Sequence, residues 1–97
     1  MTALSDPTRR AIFERLVQRP WAVGEIASEL PVSRPAVSQH LKVLKDAGLV
    51  SDAPDGARRV YRADPDGLEA LRSYLDGFWN RALRNVKAVA ERPTEED

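Results

Sequence analysis

The stretch VSRPAVSQHLKVLKDAGLV, from Val32 to Val50, predicts an amphipathic helix with a defined start and end. Ser33 is a favoured N-cap residue, and Pro35 falls in the first turn, where a missing N–H has no helical acceptor to lose. Gly48 is the residue type that most often ends a helix in the left-handed conformation. Three apolar residues share one side at helical spacing: Val37, Leu41 and Leu44.

The opposite side of this helix is polar but only partly charged, whereas a face that serves solubility alone usually mixes acids and bases. An α-helix fits the major groove of B-DNA, and its N-terminal residues usually reach the base edges. Side chains of this kind suit bases near the helix start and phosphates further along. The predicted DNA contacts are Ser33, Arg34, Pro35, Ser38, Gln39, Lys42 and Lys45. The plainer alternative is a solvated helix face.

Other segments predict the helices that come before this one. Asp6-Pro7 is a capped helix start, and that first helix ends before Arg19-Pro20. The segment WAVGEIASEL predicts a brief second helix. Together with the short turn PVS, the second and third helices form a helix-turn-helix.

A β-hairpin is predicted next, from Leu49 to Ala53 and from Arg58 to Ala63, with PDG as its turn. Arg58 and Arg59 follow the turn. Beside a helix-turn-helix, a hairpin wing brings such side chains close to the minor groove or its phosphates. The alternative is a charged edge strand that discourages aggregation. Tyr61 is expected to pack under the wing.

Asp64-Pro65 repeats the first helix start, and a long final helix is predicted to about Glu91. Its apolar side chains exceed what a small core needs to cover, so we expect it to pair two copies of the chain. The alternative is that it folds back over its own core. The predicted dimer interface is Phe13, Leu71, Leu75, Phe78, Trp79, Ala82 and Val86.

These elements predict one domain over residues 1–92, followed by a disordered acidic tail at 93–97. The fold class is mostly α with a β-hairpin wing (α+β), a winged helix-turn-helix in the order α-α-α-β-β-α. The 97-residue chain has a formal net charge of zero, but from Ser33 to Arg62 six cations outnumber three anions. A basic middle region is compatible with a nucleic-acid surface on one side only.

Composition narrows the function classes. The chain has no cysteine, which excludes disulfides and thiolate metal sites. No apolar run approaches the roughly 20 residues that cross a bilayer, and the first residues lack the apolar core of a signal peptide, so a cytoplasmic protein is expected.

His40, the one histidine, is expected to be a partly buried packing residue with at most a DNA contact. No catalytic constellation, metal site or cofactor is predicted, and an enzyme is disfavoured. A winged helix that binds protein rather than DNA stays open as the stronger alternative.

The segment VGEIASELPVSRPAVSQHLKVLKDAGLVSDAPDGARRVYRAD resembles the winged helix-turn-helix of ArsR-type (ArsR/SmtB-like) bacterial repressors. The opening ALSDPTRRAIFERL resembles the family's first helix, and the final helix resembles its dimerisation helix. The likeness covers roughly Ala3 to Ala90. It implies a homodimeric repressor on a palindromic, inverted-repeat operator, with DNA-contacting positions at Arg34, Pro35, Ser38 and Gln39.

The chain departs from the metal-sensing members of that family. Arsenic-sensing members carry Cys-x-Cys where this chain has Ala22 and Gly24, and zinc-sensing members use Asp and His on the last helix, which here has Asp76 but no histidine. The resemblance therefore implies the fold and the DNA activity of a metal-independent branch. The resemblance implies no effector.

Overall fold

The computed structural model describes residues 2–91, and the predicted acidic tail lies outside them. After a 3-10 turn at Thr2–Leu4, the elements are α1 (Pro7–Gln18), β1 (Trp21–Ala22), α2 (Val23–Glu29), α3 (Arg34–Asp46), β2 (Val50–Asp55), β3 (Arg58–Ala63) and α4 (Pro65–Glu91). This is the predicted α-α-α-β-β-α order with one added short strand.

Three of the four predicted helices have a predicted capping residue, and all three caps are confirmed. The Asp6 carboxylate accepts two backbone N–H groups of α1 at 2.8 and 3.1 Å. The Ser33 hydroxyl accepts one N–H of α3 at 3.3 Å, and the Asp64 carboxylate accepts two at the start of α4 at 2.9 and 3.2 Å. Each cap satisfies N–H groups that a helix leaves without an internal partner.

The predicted second helix was wrong at its beginning. Trp21 and Ala22 form β1, which pairs antiparallel with Tyr61 and Val60 of β3. The helix begins only at Val23, and the Glu25 side chain accepts the Ala22 N–H at 2.8 Å. Two residues of strand are too few to show an alternating pattern in the sequence. The strand forms because β3, far along the chain, supplies its pairing partner.

The hairpin is longer on its first side than the sequence suggested. β2 continues through Pro54 to Asp55, and the turn is Gly56-Ala57, with Gly56 at φ +64°. Ala57 does not have a positive φ, and a positive φ at the first turn residue alone is the pattern of a type II′ hairpin. The sheet order is β1-β3-β2, so Pro54 lies on an edge strand, where its missing N–H breaks no ladder.

The core lies between α1, α2, α3 and the base of the hairpin, and its most completely buried side chains are Ile12, Ile26, Val37, Leu41, Leu44 and Leu49. Tyr61 is half-buried against it, as expected. Leu68 and Leu71 at the start of α4 pack on the same core. Beyond them α4, about 40 Å long by its 27 residues, carries its large apolar side chains exposed to solvent.

Candidate nucleic-acid interface

The polar side of α3 is open to solvent. Its buried side chains, Val37, Leu41 and Leu44, hold the helix on the core and turn the opposite side outward. The predicted contact residues on that outward side are all exposed: Ser33, Arg34, Pro35, Ser38, Gln39, Lys42 and Lys45. The structure therefore brings together on one surface every contact residue predicted for this helix.

Arg34 lies beside the start of α2. A Cβ atom placed on Gly24 would lie 3.5 Å from a terminal nitrogen of the Arg34 guanidinium, in ordinary van der Waals range. Among the described residues, Arg34 makes no ion pair within 4.0 Å, and the segment from Ser33 to His40 carries no acidic residue. The N-terminal half of α3 thus presents a cation without a neutralising neighbour.

The lysines further along α3 are paired with acids. Lys42 lies 2.9 Å from the exposed Asp46 carboxylate one helical turn later. Lys45 lies 2.8 Å from one oxygen of Asp52, and Arg59 donates to the other oxygen of Asp52 at 2.8 Å. One carboxylate on β2 therefore joins α3 to the wing.

The two wing arginines point to opposite sides of the hairpin, because neighbouring strand residues alternate between faces. Arg59 lies with Asp52 on the side of α3. Arg58 lies 3.5 Å from Asp55 and 3.9 Å from Glu25 on the other side. The sequence predicted the same role for both, and the structure separates their surroundings.

These contacts change the acidity of three groups. The hydrogen bond from Lys45 lowers the pKa of Asp52, with a further lowering by Arg59, and the same contact raises the pKa of Lys45. The Ala22 N–H lowers the pKa of Glu25, helped by the charges of Arg19 and Arg58. All three groups are held in their charged forms.

The sequence prediction missed the acids of this surface as site residues. Asp46 was readable, because an acid four residues after Lys42 faces it on a helix. Asp52 was not readable in the same way. Its position depends on the hairpin register, in which it stands opposite Tyr61 and diagonal to Arg59.

His40 is half-buried, as expected for a packing residue. It lies close enough to Asp6 to help lower that carboxyl's pKa, after the larger effect of the Arg9 N–H. Within residues 2–91, no group of three or more histidine, aspartate and glutamate side chains is arranged to hold a metal ion.

The residues predicted to form a dimer interface fall into three groups. Leu75, Phe78, Trp79 and Val86 are exposed on α4, with Tyr74, Leu83 and Val89 beside them. Leu71 and Ala82 are half-buried. Phe13 is only 6% exposed and belongs to the core of its own chain. The exposed apolar surface on α4 is therefore made without the first helix.

Phe78 and Trp79 form the centre of this surface. Their rings lie 6.4 Å apart at 73°, an edge-to-face pair, and both are about half exposed or more. Helix α4 lacks the apolar content needed to span a membrane, and so does every other described helix.

Comparison with known proteins gives consistent matches. A family model for a helix-turn-helix domain matches residues 4–52. The HTH-type transcriptional regulator Rv2034 of Mycobacterium tuberculosis is 70% identical over 81 residues, which are 84% of this chain and 76% of the relative. The transcriptional repressor SdpR of Bacillus subtilis is 34% identical over 79 residues, 81% of this chain and 88% of the relative.

Solved structures match the whole architecture. A possible transcriptional regulator for arsenical resistance aligns over 96% of this chain and 95% of its own, with a TM-score of 0.76 and 41% identity. An ArsR-like transcriptional regulator from Rhodococcus sp. RHA1 aligns over 95% and 90%, with a TM-score of 0.73 and 35% identity.

Proposed function

This chain belongs to the ArsR-type family of winged helix-turn-helix transcriptional repressors, and from that premise we propose that it represses transcription as a homodimer on an inverted-repeat operator, without a metal signal. Members of such a family act by binding DNA rather than by catalysing a reaction. The finer points of the proposal are the contact residues, the dimer and the metal independence.

The exposed, acid-free N-terminal half of α3 is the observation that carries the proposal. Its Arg34 guanidinium suits guanine N7 and O6, and Gln39 suits adenine N7 and N6. The Ser38 hydroxyl suits either base, and Pro35 suits a thymine methyl. Phosphate contacts are assigned to the remaining predicted residues: Ser33, Lys42, Lys45, Arg58 and Arg59.

Dimerisation is supported by the exposed side of α4. A contiguous apolar surface centred on Phe78 and Trp79 is costly to leave in water, and monomeric proteins rarely keep one. A second copy of the same helix is its proposed occupant, because two copies bury equivalent surfaces on each other. Leu75, Ala82 and Val86 extend the contact along the helix, with Leu71 at its inner end.

The symmetry of the protein then sets the symmetry of the target. Two helix-turn-helix modules related by a two-fold axis place their α3 helices in successive major grooves, about one helical turn of DNA apart. The half-sites are therefore expected as an inverted repeat.

Metal independence is proposed from the side chains at the family's sensing positions. Ala22 and Gly24 carry no donor atom, and His40, the only histidine, is on α3 rather than α4. We expect excess zinc or arsenite to leave operator affinity unchanged. A several-fold weakening by either one would contradict this part of the proposal.

Selection of bound duplexes from a random pool is the experiment that tests the whole proposal. Enrichment of an inverted repeat whose half-sites are one helical turn apart is the expected result. A single unpaired half-site would remove the dimer from the proposal, and absence of any enriched sequence would remove sequence-specific binding.

A winged helix that binds protein rather than DNA is the alternative function, and salt dependence separates the two. A DNA-binding chain loses affinity steeply between low and moderate salt, because its phosphate contacts release counterions. Absence of retention on DNA at low salt would favour the alternative.

A further inference from the structure

Asp52 occupies a position between the two halves of the proposed DNA surface. It lies on β2, and its side chain is only 7% exposed. One carboxylate oxygen is 2.8 Å from the Lys45 ammonium of α3, and the other accepts a hydrogen bond from the Arg59 guanidinium of the wing at 2.8 Å. We call these three residues the Asp52 bridge.

The two cations of the Asp52 bridge are much more exposed to solvent than its acid. Lys45 and Arg59 each keep 53% of their side-chain surface exposed, while Asp52 lies beneath them. A phosphate can therefore approach both cations from outside without displacing the carboxylate. The bridge offsets one of the two positive charges and fixes where both are presented.

The other ion pairs of this surface do not have this construction. Lys42 and Asp46 are 75% and 65% exposed, and Arg58 and Asp55 are 57% and 63% exposed. The remaining partner of Arg58, Glu25, lies 3.9 Å away and is 37% exposed. Water screens such exposed pairs, and they hold their side chains weakly. Its nearly covered carboxylate makes the Asp52 bridge the most firmly held of these ion pairs.

We propose that Asp52 is a specificity-determining residue for DNA binding, acting through Lys45 and Arg59. By offsetting one charge, it weakens binding to any duplex. Asp52 also fixes the two cations at the α3–wing junction. They therefore reach phosphates only when α3 lies in the major groove in its specific orientation. The inference rests on the proposed DNA-binding function.

Asp52→Asn is the direct test, since it keeps the shape and one acceptor oxygen but removes the charge. Binding of the full chain is measured on the selected operator and on an unrelated duplex over a range of salt concentrations. On the unrelated duplex we expect affinity to rise roughly five- to tenfold and the slope of log K against log salt to steepen by about 0.9, as for one added phosphate contact. On the operator the gain should be smaller, so the ratio of specific to non-specific affinity falls.

Asp55→Asn is the matched control, because it changes the net charge equally on the same strand but outside the bridge. Its ratio of specific to non-specific affinity should stay within about twofold of the wild-type ratio. If Asp55→Asn lowers this ratio as much as Asp52→Asn does, general electrostatics explains the effect and the proposal is overturned. An unchanged ratio in Asp52→Asn overturns it as well.

A second pair of variants tests the bridge if Asp52→Asn does not fold. Both lysines are paired, but the Asp46 partner of Lys42 is exposed and screened by water, whereas the Asp52 partner of Lys45 is nearly covered. Lys45→Gln should therefore flatten the salt slope on the unrelated duplex less than Lys42→Gln does. Equal flattening contradicts the proposal. Failure of the proposed function looks different: wild type that enriches a sequence without an inverted repeat rejects the operator dimer, and the Asp52 ratio is then measured on that enriched sequence. Wild type that enriches no sequence has no specificity to determine, so the proposal falls with it. Wild type that binds no DNA overturns both.

Discussion

Gly67, in the first turn of α4, packs directly against the backbone carbonyl of Gly48, in the turn after α3. A Cβ atom on Gly67 would overlap the Gly48 carbonyl oxygen and come within 3.1 Å of the Leu49 Cα atom. Both obstacles are backbone, which cannot rotate away as a side chain can. The close contact sets where α4 leaves the domain, because Gly48 itself is fixed at φ +79° at the end of α3.

Gly67→Ala should therefore destabilise the protein, by about 1–3 kcal/mol, since the backbone must shift to admit a methyl group. Urea unfolding measures the change. Gly77→Ala is the control on the same helix, where the new methyl would meet only the flexible end of Arg81 at 3.4 Å. That control should be neutral or more stable by up to about 1 kcal/mol, as glycine is a poor helix former. Equal stabilities for the two variants would contradict the close packing.

Arg34→Ala should weaken binding to the selected operator by about 1–3 kcal/mol and broaden the set of sequences that the protein accepts, because a bidentate base contact is lost. Lys42→Ala is the matched change further along α3. It should weaken all duplexes similarly and flatten the salt slope by about one. Competition binding with the operator and with point-substituted operators measures both. Should Arg34→Ala keep the parental order of preference, the assignment of this residue to a base is wrong.

Local signals in the sequence predicted most of the fold. Asp6, Ser33 and Asp64 each act on backbone groups two or three residues away, and these caps were read correctly. The β1 strand was not, because Trp21 pairs with Tyr61 forty residues later. The same limit applies to the site. The exposed contact residues of α3 followed from helical periodicity, whereas the role of Asp52 depends on a hairpin register and a helix that meet only in the folded chain.

Phe78→Ala should weaken self-association by roughly 2–4 kcal/mol and weaken operator binding with it, if Phe78 becomes buried between two copies. Sedimentation at several concentrations measures the first effect and operator titration the second. Asn80→Ala, on an exposed position two residues along the same helix, should change neither. A wild-type chain that sediments as a clean monomer at micromolar concentration would contradict the dimer, whatever the variants do.

Asp52 should make stability depend on acid pH. Its folded-state pKa lies below the ordinary value of 3.8, because the carboxylate accepts a hydrogen bond from Lys45 and another from Arg59. A lowered pKa means that the unfolded chain binds the proton more readily, so the contribution of Asp52 is complete well above pH 3.8 and is lost as the pH falls through the folded-state value. The stability difference between wild type and Asp52→Asn should accordingly be constant near neutral pH and shrink in acid.

A carboxyl NMR titration provides the independent measurement: the Asp52 midpoint should lie below 3.8 in wild type and move upward in Lys45→Gln, which removes the larger cause. A midpoint that does not move in Lys45→Gln would mean that Lys45 does not hold the carboxylate in solution.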